Sequence, residues 1–252
     1  SRAPSVRQSI AAPPEHPVFQ RAFWIARHET TFAAWIEYLD ALPPGERDER
    51  RPMASGPTTM SLQLVDTPTG AWSLELADGT TTRRHARGEP VVYPGRTLRR
   101  AQAWERWPVV GVRVADARAY AAWLDHTGRV PGARLCTNAE WERAARGADD
   151  RLYPHGDELA PDDANWIKTY DEKAGALGLD EVGSHPASDS PFGVADLAGN
   201  AWEFVDAPPD LALTRGGGWY YGARAVRASN LVGSEPRFRD TATGVRVCAD
   251  PR

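Results

Sequence analysis

The sequence contains few cysteines: Cys136 and Cys248 are the only two among 252 residues. Two cysteines exclude the framework of several disulfides that stabilises small secreted scaffolds. A single bridge between them stays open, but the pattern favours two buried thiols. Free thiols in turn favour, weakly, a reducing compartment such as the cytoplasm.

The sequence also lacks a long apolar run and an excess of positive charge. No apolar stretch approaches the roughly 20 residues that cross a bilayer, so no membrane span is expected. The opening segment lacks the apolar centre of a signal peptide. A net charge of −4 gives a phosphate backbone no general attraction, so nucleic acid is not an expected partner.

Aromatic and turn-forming residues are plentiful instead. Ten Trp, together with 22 Gly and 21 Pro, indicate a loop-rich core held by large aromatic side chains. The first 20 residues are rich in Pro, Ser and charge, which is typical of a tail or linker. We therefore expect a tail over residues 1–20 and one α+β domain over residues 21–252.

Three segments carry helix signals. Apolar residues recur at i, i+3, i+4 and i+7 over residues 32–39, and Pro43-Pro44 should end that helix. A second helix is predicted over residues 115–126. The third has the sequence of a capping box, with Thr137 as N-cap and Glu140 three residues later, and Gly147 at its end.

The segments between the first two helices have a different pattern. Residues 45–60 are charged and contain proline, so we expect a loop there. Residues 62–64 and 72–76 alternate apolar and polar side chains around a Thr-Pro-Thr-Gly turn, which predicts a hairpin. Residues 61–93 should form a small β excursion, and residues 23–25 a short strand of the main body.

Five motifs follow one another in a fixed order along the chain. They are PVVGV at 108–112, RLCTNAEWE at 134–142, DLAGNAWEF at 196–204, RGGGW at 215–219 and GVRV at 244–247. Their order and spacing resemble the formylglycine-generating-enzyme, or sulfatase-modifying-factor, family over roughly residues 20–249. The resemblance implies a C-type-lectin-like α+β fold with little regular secondary structure.

The resemblance also implies calcium, which prefers six to eight oxygen ligands drawn from carboxylates and backbone carbonyls. Two sets of residues match the family's calcium ligands. The alternative is that their carboxylates only hydrogen-bond the turn and neighbouring arginines. The first set is Asp196, Gly199, Ala201 and Glu203; the second is Asn165 and Trp166, whose remaining acidic ligand has no clear match in the loop 168–181.

Copper chemistry, by contrast, is not expected. The generating enzymes hold copper with two cysteines shortly after the RGGS motif, and the matching positions here are Tyr221 and Val226. A phenol and an isopropyl group do not replace the soft thiolates that Cu(I) prefers. The six histidines show no spaced ligand cluster for iron. Formylglycine synthesis is therefore not predicted, and no catalytic residue is assigned.

The stretch from 219 to 240 is rich in Tyr, Arg, Ser, Gly and Asn, the residue types favoured in recognition surfaces. In the lectin-like fold this stretch forms the exposed ligand face, and it is the variable part of retroelement-diversified variable proteins. We expect Trp219 to lie in the core and Arg227 to support the core from the side. The candidate ligand-binding residues are Tyr220, Tyr221, Arg224, Ser229, Asn230 and Ser234.

Together these observations favour a non-catalytic domain that recognises a protein or a small-molecule ligand. Residues 23–44 resemble domains that are appended to bacterial Ser/Thr protein kinases, so a covalently linked kinase domain is one expected partner. The main alternative is an oxidoreductase-like enzyme that uses the family cleft with different chemistry. A third possibility is a subunit-packing module whose exposed aromatic residues are buried in an oligomer.

Overall fold

Short strands joined by long loops make up most of the computed structural model, which describes residues 8–10, 20–55, 60–67, 70–78, 81–173 and 175–251. The helices are α1 (Phe32–Asp40), α2 (Pro44–Glu49), α3 (Val114–His126) and α4 (Asn138–Arg146). The strands are β1 (Gln8–Ile10), β2 (Trp24–Ile25), β3 (Met53–Ser55), β4 (Met60–Asp66), β5 (Trp72–Asp78), β6 (Thr82–Ala86), β7 (Val91–Val92), β8 (Ala101–Gln102), β9 (Ala133–Leu135), β10 (Trp202–Val205), β11 (Ala212–Arg215), β12 (Leu231–Ser234), β13 (Thr243–Val245) and β14 (Val247–Ala249). No helix in these ranges is long and apolar enough to cross a membrane.

The helix boundaries follow local capping chemistry. The Thr31 hydroxyl accepts a hydrogen bond from the backbone of Ala34 and caps α1. In α4, the Thr137 hydroxyl and the Glu140 carboxylate accept each other's backbone N–H, so the predicted capping box is present. The expected loop over 45–60 is wrong in two places: Pro44 opens α2 at a position where its missing N–H costs nothing, and β3 occupies residues 53–55.

Two sheets form the main body. The larger has the order β1-β12-β11-β10-β13, with β10 and β13 parallel and the other pairs antiparallel. The smaller has the order β2-β14-β9. Within the segment predicted as a tail or linker, β1 pairs with β12, and residues 1–7 and 11–19 lie outside the described residues.

A third sheet, of order β3-β4-β5-β6, contains the predicted hairpin β4-β5; it begins at Met53, before the excursion expected over residues 61–93, and its last strand ends at Ala86. In β4 and β5, Leu64 lies opposite Leu74 and Gln63 opposite Glu75. Leu64 and Leu74 are fully buried, whereas Arg84 of β6 pairs with Glu75 at the surface. The sheet therefore has an inner face toward the body and an outer, polar face.

Tryptophan side chains fill the core between the sheets. Six of the ten Trp are fully buried, and two arginines are buried with them. These side chains remove a large apolar area from water and compensate for the shortness of the strands. They are Trp35, Trp104, Trp107, Trp141, Trp202 and Trp219, with Arg215 and Arg246.

Cys136 and Cys248 form a disulfide, so the prediction of two free thiols is wrong. Cys248 lies in β14 opposite Arg134 of β9, and Cys136 follows β9 directly. This pairing places their Cα atoms 4.8 Å apart although 112 positions separate them in sequence. The argument for a reducing compartment rested on free thiols and therefore no longer holds.

Removing the disulfide should destabilise the domain. We expect the double variant Cys136→Ala, Cys248→Ala to lose about 2–4 kcal/mol of unfolding free energy, because the bridge restricts the unfolded chain. Urea unfolding followed by circular dichroism measures the difference. A reductant should lower the wild-type value toward that of the double variant and leave the variant unchanged. Equal stability of the two proteins under oxidising conditions would contradict this role.

Candidate functional site

The loop before β10 packs directly on Asn165. The backbone N–H of Asn200 donates to the carbonyl of Asn165 at 2.7 Å, and Asp196, Gly199 and Asn200 all have positive φ. A Cβ on Gly199 would lie 2.2 Å from the Asn165 oxygen, so only glycine permits this contact. The two sets of predicted calcium ligands are therefore brought side by side.

Glu203 is already fully engaged by protein donors. Arg246 donates to its carboxylate through Nε at 2.8 Å and Nη2 at 2.6 Å, and the indole of Trp141 donates to the same group. All three side chains are buried. As arranged, the Glu203 carboxylate is an ion-pair partner and has no free oxygen for a metal ion.

Asp196 lies beside a second buried acid, Glu29, which the sequence pattern did not indicate. Glu29 is 2% exposed, and among the described residues its Oε1 has no hydrogen-bond partner. Burial and the charge of Asp196 raise the pKa of Glu29 well above its usual value, and burial raises the pKa of Asp196. Three buried carboxyl groups thus share one guanidinium, that of Arg246, so burial and mutual repulsion favour the protonated form of Glu29 and Asp196.

A hard divalent cation would favour the ionised form of both acids, and the oxygens of Asp196, Glu29 and the loop carbonyls are the ligand type that such a cation prefers. Gly199 and Ala201 contribute only backbone groups, as expected for carbonyl ligands. Across the ranges that the structure describes, no group of three or more His, Cys, Asp or Glu is arranged to hold a metal ion. A cation here would therefore take most of its oxygens from carbonyls and water.

The second predicted set of calcium ligands, Asn165 and Trp166, lies next to a loop that is held by the guanidinium of Arg96. The Asn165 amide donates to the Gly178 carbonyl at 2.9 Å. Arg96 enters the loop 168–181 and donates to the carbonyls of Ala176, at 2.6 Å, and Gly178, at 3.1 Å, and to the carboxylate of Asp180. Its guanidinium occupies the interior of the loop that a second calcium ion would have to order. The backbone N–H of Trp166 donates to the Thr169 hydroxyl.

Aromatic rings and a histidine complete this Arg96 cluster. The guanidinium carbon lies 3.6 Å from the ring centroid of Tyr93 and 3.9 Å from that of Tyr170. His185 Nε2 lies 2.8 Å from Asp180, and the Tyr170 hydroxyl donates to Asp180 at 2.6 Å. Burial opposes ionisation of Asp180, but these hydrogen bonds and the charge of Arg96 lower its pKa.

Tyr221 and Val226 lie where the resemblance places the copper cysteines. Val226 is fully buried in an apolar cluster with Tyr153, Ala164, Trp166 and Ala198. The rings of Tyr221 and Trp202 pack in a T-shaped arrangement with their centroids 5.2 Å apart. Neither position supplies a sulfur ligand.

The predicted ligand face is brought together only in part. Tyr220 and Tyr221 are half-buried neighbours whose ring centroids are 4.2 Å apart and whose hydroxyls are 2.9 Å apart. Arg224 is exposed in the same loop. Trp219 is 2% exposed and donates to the Thr241 carbonyl, which agrees with its expected place in the core.

The remaining candidates of that face lie further along. Asn230 donates to the Ala225 carbonyl at 2.9 Å and so fixes the loop from inside. Ser229 is half-buried beside it. Ser234 ends β12, opposite Ala212 of β11. The half-buried Tyr220 and Tyr221 and the exposed Arg224 lie in one loop, and we call these three residues the Tyr221 face.

The fold and the site together define a loop-rich α+β domain of the C-type-lectin-like, formylglycine-generating-enzyme-like class. The sequence matches the sulfatase-modifying factor enzyme 1-like domain over residues 3–251. The chain belongs to this family.

Two curated relatives show the range of the family. The chain is 28% identical over 299 residues to the formylglycine-generating enzyme of Mycobacterium tuberculosis, covering 94% of this chain and 91% of that protein. It is 29% identical over 194 residues to the serine/threonine-protein kinase pkn1 of Chlamydia caviae, covering 77% of this chain but 24% of the kinase.

Two solved structures share the fold. PvdO from Pseudomonas aeruginosa superposes with a TM-score of 0.64 at 20% identity, covering 98% of this chain and 92% of that chain. The Treponema denticola variable protein 1 superposes with a TM-score of 0.53 at 15% identity, covering 80% of this chain and 99% of that chain.

Replacing the Arg96 cation should destabilise the loop 168–181. We expect Arg96→Met to cost about 3–5 kcal/mol of unfolding free energy, because it leaves the carboxylate of Asp180 buried beside the remaining carbonyls without its cation. Urea unfolding measures the loss, and hydrogen exchange should locate it in the loop. The matched control is Arg106→Met, whose ion pair with Glu181 is largely exposed and should contribute less than about 1 kcal/mol. Equal stability of the two variants would contradict the role of Arg96.

Proposed function

We propose that this domain recognises a ligand and does not catalyse formylglycine formation. The observation that carries the proposal is the pair of side chains at the copper positions, a half-buried Tyr221 and a fully buried Val226. An apolar cluster of aromatic and aliphatic side chains surrounds Val226, so the position offers no thiolate to copper. The scaffold remains intact around a centre whose metal ligands are missing.

The Tyr221 face has the chemistry of a recognition surface. Tyr220 and Tyr221 pack on each other, and they pack on Trp219 and Trp202 respectively, so little side-chain entropy remains to be lost on binding. The exposed Arg224 adds a cation with a planar hydrogen-bonding group. Rigid aromatic anchors next to an arginine are typical of the residues that dominate binding energy.

The relatives support two settings for such a domain. The similarity to part of a protein named as a serine/threonine kinase supports a domain that senses a ligand for a linked kinase. The structural likeness to a variable protein supports a face that tolerates sequence change while the scaffold is kept. We favour the kinase-linked setting, with a protein or a small molecule as the ligand.

Substitutions on the Tyr221 face should weaken binding. We expect the double variant Tyr221→Ala, Arg224→Ala to bind at least roughly tenfold more weakly to any ligand found on peptide and glycan arrays, because it removes an aromatic anchor and a cation. Fluorescence anisotropy with the labelled ligand measures the affinity. The control is Arg84→Ala on the outer face of the β3–β6 sheet, which should bind as the wild type does. Unchanged affinity of the double variant for that ligand would contradict the proposal.

An enzyme with different chemistry is the competing function, since the chain aligns with 91% of a formylglycine-generating enzyme. A redox metal bound stoichiometrically, or consumption of oxygen with a thiol substrate, would establish that function. The same result would overturn the recognition proposal.

We also propose that a calcium ion binds at Asp196, with the carbonyls of Gly199 and Ala201 and the Glu29 oxygen that has no hydrogen-bond partner among the described residues. Two acids buried side by side support this assignment, because a divalent cation would allow both to ionise. Glu203 stays with Arg246 in this arrangement. Because Arg96 already supplies a cation beside Asn165 and Trp166, we propose no calcium ion there.

Calcium should stabilise the wild-type protein. At a hundredfold excess over its dissociation constant, it should add about 2.7 kcal/mol to the unfolding free energy. Thermal unfolding with calcium and with EGTA measures the shift, which should vanish in Asp196→Asn and persist in the surface control Glu37→Gln. No bound calcium by elemental analysis and no thermal shift would rule out the site.

A further inference from the structure

A cavity of about 560 Å³ lies between the β3–β6 sheet and the body of the domain, apart from the Tyr221 face. We infer that this cavity, which we call the hairpin cavity, binds a small molecule with an apolar body and a zwitterionic head. Its volume lies in the range of about 300–1,000 Å³ that is usual for small-molecule sites. The inference goes beyond the proposed function, because the cavity does not include Tyr221 or Arg224.

The cavity exists because the body of the domain covers only part of the inner face of the β3–β6 sheet. At one end, Leu64 and Leu74 are fully buried against the core. At the other end, Met60 and Leu76 are half-buried and line the cavity. An apolar strand face that stays partly open next to a formed core favours an apolar occupant.

The wall opposite the sheet is fixed before any ligand arrives. The Tyr93 hydroxyl donates to the Leu179 carbonyl at 3.1 Å, and the ring packs on Trp107 and under the Arg96 guanidinium. Trp219, which lines the cavity as well, is held by its bond to the Thr241 carbonyl. These aromatic surfaces have lost their side-chain freedom already, which lowers the entropic cost of binding.

Close backbone packing supports the same wall. A Cβ on Gly175 would lie 3.0 Å from the ring of Pro94, and the Gly95 N–H donates to the Gly175 carbonyl. Leu177, half-buried, faces the cavity next to them. The cavity is therefore bounded by strands on one side and by a pinned loop on the other.

The polar groups of the lining indicate the chemistry of the head group. Exposed side chains of both charges line the cavity, two cations and three carboxylates, so the lining suits a head that carries both signs. His85, half-buried in the same lining, has a buried Nδ1 without a hydrogen-bond partner among the described residues. A ligand's polar group would satisfy it. The charged residues are Arg83, Lys173, Asp78, Glu89 and Glu172.

An aromatic amino acid has this combination of an apolar body and a zwitterionic head, so L-tryptophan is a suitable probe. Tryptamine and indole-3-propionate keep the ring but carry one charge each. By isothermal titration calorimetry we expect L-tryptophan to bind with one site per chain and each analogue to bind roughly fivefold more weakly. Equal affinity for the three compounds, or no binding of L-tryptophan, would overturn the inference.

Variants locate the binding. Leu76→Arg places a charge on the apolar side of the cavity and should weaken L-tryptophan binding roughly tenfold or more. The matched control is Gln63→Arg on the outer face of the same sheet, which should bind normally. If Leu76→Arg fails to fold, Leu177→Arg tests the opposite wall. Binding that survives the cavity substitutions would overturn the inference.

The test is separate from that of the proposed function. The double variant Tyr221→Ala, Arg224→Ala should keep its affinity for L-tryptophan, because neither residue lines the cavity. Amide chemical-shift changes in the wild type should centre on Ala77, Val92 and Gly175. Shifts centred on the Tyr221 face would overturn the assignment to the cavity while leaving a binding role for that face.

Discussion

The buried ion pair between Arg246 and Glu203 is the interaction on which the rest of the domain depends. Arg246 donates to Glu203 and to the carbonyls of Ala26 and Ala195, and Trp141 donates to the same carboxylate. One guanidinium thus joins the start of the domain, the loop before β10 and the last strands. A buried charge that lost any of these partners would be costly, so the segments are held in one arrangement.

That arrangement also creates the unusual charge of the centre. Because Glu203 uses the guanidinium, Glu29 and Asp196 are left as buried acids with less than one countercharge between them, and burial raises their pKa. Aliphatic and aromatic packing surrounds Tyr221 and Val226 a short way along the chain. The domain therefore has an acidic centre beside the Arg246 ion pair, whereas a phenol and an isopropyl group stand at the positions that the resemblance assigns to the copper cysteines.

Local signals in the sequence were sufficient for part of this structure. Thr137 and Glu140 are three residues apart and fix the start of α4 through their own backbone contacts, and the alternation in β4 and β5 sets their inner face. The order of the five sequence motifs was sufficient to predict the family to which the chain belongs. These features depend on neighbours in the chain or on residue identity alone.

Other features depend on contacts between distant segments, and the sequence pattern did not reveal them. The Cys136–Cys248 bridge forms because β9 and β14 pair, and the roles of Glu29 and Arg96 arise only when three loops meet. The hairpin cavity forms because part of the inner face of the β3–β6 sheet is not covered by the body. The alternation of apolar and polar residues does not predict how much of that face is covered. Of the candidate ligand face, Asn230 proved to fix the loop from inside, although its residue type alone suggested exposure.

Arg96 has one consequence of a different kind. A dissociable ion leaves when its concentration falls, but a guanidinium tethered to the backbone stays at every ionic composition. We therefore expect the segment around Asp180 to keep its arrangement in the presence of chelators, and the aromatic rings beside it to keep theirs in media poor in divalent salts. Around Asp180, the guanidinium of Arg96 is a counterion that belongs to the chain itself.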